Sequence, residues 1–108
     1  MAYDEHLAER ARQFLPDEGV VGKQMFGGIA FMLNGNMSVG VVGEELIVRL
    51  GAEAAREALT RPHVRVMDFT GKPMKGWVIV EPAGTEDEAA LAGWVERGVA
   101  FAGSLPPK

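Results

Sequence analysis

The stretch FMLNGNMSV, residues 31 to 39, constrains the fold more than any other part of the chain. Asn34-Gly35 between two apolar runs is a hairpin signal, because a two-residue type I′ turn needs positive φ at both central positions and these residues tolerate it. Such a turn sets the pairing of Leu33 with Asn36, Met32 with Met37, Phe31 with Ser38 and Ala30 with Val39. A second tight turn at Gly43-Glu44, with glycine first as type II′ requires, places Val41 opposite Leu46 and Val39 opposite Val48. Alternation then sorts the side chains. Ala30, Met32, Met37, Val39, Val41, Leu46, Val48 and Leu50 form a wholly apolar face, expected to lie under helices. Ile29, Phe31, Leu33, Asn36, Ser38, Gly40, Val42, Glu45, Ile47 and Arg49 form a mixed face, expected to be half wet or covered by a partner.

Helices flank this hairpin unit. In DEHLAERARQFLP, Leu7, Ala8, Ala11, Phe14 and Leu15 recur at helical spacing, Asp4 is placed to cap and Pro16 ends the run. After Leu50-Gly51, AEAAREALTRP predicts a short crossover helix with Ala55 and Leu59 inward, and HVRVMDFTG with GWVIVEP predicts a second hairpin. A last helix runs through TEDEAALAGWVERGVAFAG, with Thr85 and Glu88 in capping-box spacing and Leu91, Trp94, Val95, Val99 and Ala102 on one stripe. The expected fold is α+β in two layers: an antiparallel sheet of about five strands with helices on one face, in the order α-β-β-β-α-β-β-α. One domain over 1–108 is expected, with 103–108 as a flexible tail.

Size and charge set limits on function. A chain of 108 residues, 47% hydrophobic, suits one core and can bury roughly two thirds of its surface. The absence of cysteine removes disulfides and thiolate metal sites, which fits a reducing cytoplasm, the expected location. The acidic start MAYDEHLAERARQF does not read as a signal peptide, and no apolar run nears the roughly 20 residues of a membrane span. With a net charge of −4, direct nucleic-acid binding is not expected, since phosphate neutralisation needs a dense Lys/Arg surface.

No catalytic centre emerges, and no cofactor or metal is expected. Gly27-Gly28 lacks the following Lys-Ser/Thr and the helix that a phosphate loop requires, so a bend or a close backbone approach explains it better. His6 and His63 have no ligand partner at helical spacing. Neither Ser38 nor Ser104 sits in a nucleophile elbow. Trp77 and Trp94 read as core anchors with few basic neighbours. Asp68, Lys72 and Lys75, with His63 nearby, form the best polar group: a carboxylate among ammonium groups could hold an anion or carry a proton, although a solvated surface ion pair has the same composition. Met25, Met32, Met37, Met67 and Met74 read first as core filling. Met25, Phe26, Gly27, Gly28, Ile29, Phe31, Leu33 and Ile47 together outline an apolar patch suited to a partner or a second copy.

The segments KQMFGGIAFMLNGNM, VGEELIVRL and DFTGKPMKGWVIVEP resemble the N-terminal domain of the TfoX/Sxy family, associated with natural competence in bacteria. Met-Phe-Gly-Gly at 25 to 28, the Asn-Gly hairpin with Met37, and Pro82 after the last strand carry the likeness, which spans most of the chain. The resemblance implies a secretion-chaperone-like α+β domain and no catalytic residues. It also implies a stand-alone regulatory domain that contacts a protein partner such as a transcription regulator, since longer members add a helical domain and act as co-activators. A homodimer and no membrane association are expected.

Overall fold

A computed structural model describes residues 3–25, 27–68 and 74–107. An open antiparallel sheet of six strands is ordered β1-β2-β3-β4-β6-β5, with β1 Val20–Met25, β2 Gly28–Leu33, β3 Asn36–Val42, β4 Glu45–Arg49, β5 Val64–Val66 and β6 Trp77–Val80. The helices are α1 Glu5–Arg12, α2 Ala52–Ala58 and α3 Glu88–Gly103. The fold class is the expected one with one strand more.

That extra strand is β1. It pairs with β2 from Val20↔Leu33 to Met25↔Gly28 and forms one edge of the sheet. Its sequence, VVGKQM, lacks alternation because it is mostly exposed and packs little of either face. The crossover through α2 leads to β5 at the opposite edge, and β6 returns between β5 and β4.

Both tight turns form as expected. Asn34 and Gly35 have φ of 52° and 85°, and Leu33↔Asn36 and Met32↔Met37 are paired. The next pair, however, is Phe31↔Val39, not Phe31↔Ser38. Ser38 is an inserted bulge residue, and an insertion of one residue exchanges the faces on one side of it. The Ser38 hydroxyl donates to the Phe31 carbonyl at 2.8 Å, satisfying a group at the irregularity. Past the bulge the β2–β3 pairing stays shifted, with Ala30↔Gly40 in place of Ala30↔Val39, while between β3 and β4 the register runs as expected, with Val39↔Val48 and Val41↔Leu46.

The bulge corrects the assignment of faces. Phe31 lies beneath the helices at 0% exposure, with Ile29 packed against the same core, while Ala30, Met32 and Met37 belong to the reverse face. The helix-side core joins Phe31, Val39, Val41, Leu46, Val48, Val78 and Val80 of the sheet to Leu7, Ala55, Ala58, Leu91, Trp94 and Val95 of the helices. A second, smaller core on the reverse face holds Ala30, Met37, Ile47, Met67 and Ile79, flanked by Met25, Met32, Val42, Met74 and Trp77.

Helix ends follow local chemistry. Asp4 caps α1, its Oδ1 accepting from the His6 and Leu7 N–H groups at 2.9 and 3.2 Å. Asp87, rather than Thr85, caps α3 by accepting from the Ala90 N–H at 3.0 Å. Pro82–Gly84 forms a 3-10 turn that places Thr85 before the helix, with its hydroxyl donating to the Pro82 carbonyl.

Candidate functional site

The residues expected to make one partner surface do not share a face. Phe31 and Leu33 are buried, and Ile29 packs on the helix-side core. Ile47 points to the reverse face but is covered within the second core, and Met25 packs at its margin. Gly27, with φ of 74°, makes the β1–β2 turn, and a Cβ on Gly28 would collide with the Val41 carbonyl. The paired glycines therefore serve a turn and a close backbone approach. Phe26 and Lys72 lie outside the described residues.

The polar group around the second hairpin is also redistributed. Asp68 is exposed, and its charge acts on Arg65. Arg65 is held above its ordinary pKa first by a hydrogen bond to Glu45, with the charges of Glu45, Glu81 and Asp68 adding to it. His63 is exposed with φ of 65°, and its carbonyl accepts from the Glu81 N–H at 2.8 Å. Lys75 has different company. It lines a cleft of about 290 Å³ together with Ala52, Ala55, Arg56 and Leu59 of α2, Val66 of β5, and Met74, Gly76 and Trp77.

The cleft arises because α2 is short and only Ala55 and Ala58 are buried. Leu59, expected to point inward, is 37% exposed, and Val66 on the edge strand is 38% exposed. Both line the cleft. Behind it, the Arg49 guanidinium lies 5.1 Å from the Trp77 ring centroid and 5.6 Å from that of Phe101. Trp94, buried, carries Arg97 and Arg61 over its ring at 5.1 and 5.8 Å. Linear spacing hides Arg49 at Trp77 and Arg61 at Trp94, whereas Arg97 stands three residues after Trp94 on α3. Arg56 and Leu59, three residues apart on one helix face, were the available sign of a cleft wall.

No group of three His, Asp or Glu side chains among the described residues could hold a metal ion. Among these residues no helix is long and apolar enough to cross a membrane. A further exposed apolar feature is the β1 edge: Val21 is 64% exposed, and one side of β1 has no strand beside it among the described residues.

The profile of the TfoX N-terminal domain matches residues 12–102. The chain belongs to the TfoX N-terminal domain family. The match takes in the whole sheet, the crossover helix and nearly all of α3. Neither the curated proteins nor the solved structures gave a match to the chain.

Proposed function

We propose that this TfoX-type chain is a non-enzymatic regulatory domain of the cytoplasm that works through protein contacts, with a second copy as its first partner. The observation that carries the reading is the free β1 edge, where Val21 is 64% exposed. An unpaired edge without proline or a covering element presents its N–H and C=O groups to another strand.

An antiparallel contact over β1 itself, centred between Gly22 and Lys23, sets Val21 of one copy opposite Gln24 of the other, and two-fold symmetry repeats the pair. Family membership supports the regulatory part of the reading, and transcription control in competence is its expected setting.

Sedimentation equilibrium over a concentration series tests it. The protein is expected to dimerise, and Val21→Asp to remain monomeric with an unchanged thermal midpoint. A wild-type protein that stays monomeric at high concentration overturns the proposal.

A further inference from the structure

We propose that the cleft lined by α2, Val66 and residues 74–77 binds a small anionic amphiphile: a carboxylate- or phosphate-type head held by Arg56 and Lys75, and an apolar body laid over Leu59, Val66 and Trp77. This goes beyond the contact reading and is independent of the β1 edge.

Charge bookkeeping points to the head group. Arg10, Arg12, Arg61, Arg65 and Arg97 each have a carboxylate within ion-pair distance. Among the described residues Lys23, Arg49, Arg56 and Lys75 have none; of these Arg56 and Lys75 line the cleft, whose described lining contains no Asp or Glu. Two cations without a carboxylate partner among the described residues, beside an apolar hollow, give a positive potential that favours an external anion.

Exposed hydrophobic surface points to the body. Among the described residues three large apolar side chains are exposed, and two of them, Leu59 and Val66, line this one cleft. Trp77 adds an aromatic surface whose ring is already polarised by Arg49. Apolar walls with a few convergent polar groups are the composition of ligand sites, and 290 Å³ lies near the lower end of their usual range of roughly 300–1,000 Å³. The ligand is therefore short.

A second hollow, lined in part by Asp4, His6, Arg10, Glu44 and Glu86, is less suited. Its Arg10 is already engaged by Glu88 and by the carbonyls of Thr85 and Glu86.

The test is an amide-resolved NMR titration of the whole chain with sodium octanoate, octyl phosphate, 1-octanol and octylammonium. Saturable shifts at Ala55, Gly76 and Trp77 are expected with octanoate or octyl phosphate at millimolar concentration, and the tighter of the two identifies the head group. Octanol and octylammonium should bind at least about tenfold more weakly, as should either anion to Arg56→Gln or Lys75→Gln, each change removing one charge-assisted contact. Both positions are exposed, so the variants should keep the wild-type thermal midpoint. The proposal is overturned if neither anion saturates, if octanol or octylammonium binds as tightly, or if a variant carrying both Arg56→Gln and Lys75→Gln binds as the wild type does.

Discussion

Where Phe31 sits depends on Ser38. The Asn34-Gly35 turn dictates only the pairs next to it, and the inserted Ser38 moves every side chain of β2 to the opposite face from the one a regular ladder gives. Alternation could not reveal this, because β2 and β3 carry apolar residues on both faces and each register looks acceptable. A small polar residue between Met37 and Val39 was the one local sign. At this buried position Phe31→Asp should abolish cooperative folding rather than spare the fold and block a partner. Phe31→Ala should lower stability by about 3–5 kcal/mol in urea titration. Ser38→Ala removes the hydrogen bond to the Phe31 carbonyl and should cost about 1 kcal/mol without altering the denaturant slope.

Among the elements, α1, β2, β3, β4 and α3 were legible because their patterns are long or bounded by strong turns. The missed β1 is exposed, so packing imposed no period on it. At α3 the Thr85 and Glu88 spacing was a poor guide, since the 3-10 turn after Pro82 moved the helix start to Asp87. Asp87→Ala should therefore cost about 1 kcal/mol, with Asp87→Asn retaining most of it, as measured by chemical denaturation. Glu57 ties α2 to α3: Arg61 donates to its Oε2 at 3.0 Å, and Arg97 of α3 lies 3.5 Å from its Oε1. The Arg61 hydrogen bond first, then the charges of Arg61 and Arg97, hold the Glu57 carboxyl below its usual 4.5. A depressed carboxyl stabilises the fold above its unfolded pKa, and the contribution disappears as pH falls through the folded value. The stability difference between wild type and Glu57→Gln should thus be present at neutral pH and shrink as the solution is acidified below 4.5. Thermal midpoints across that interval provide the measurement.

At the scale of the molecule, the α+β class and the helix-covered sheet could be read from the sequence, whereas the second core could not. Local patterns do not show that Met67 and Met74, from the loop between β5 and β6, pack with Met25, Met32 and Met37 over Ile47 and Ile79. Thioether side chains suit this thin layer because they adapt to an irregular gap, but oxidation makes each one polar. Met37 and Met67 are buried, while Met25, Met32 and Met74 are half-buried at the margin. Dilute hydrogen peroxide should therefore oxidise Met25, Met32 and Met74 before Met37 and Met67, as followed by peptide mass spectrometry. The thermal midpoint should fall as they react, because their sulfoxides lie against the apolar groups that close the reverse face. Replacing these three by Leu should protect the midpoint, since volume and apolarity are nearly conserved. Equal reaction rates at Met67 and Met37 in the folded protein would show that the reverse layer opens to solvent far more readily than its packing implies.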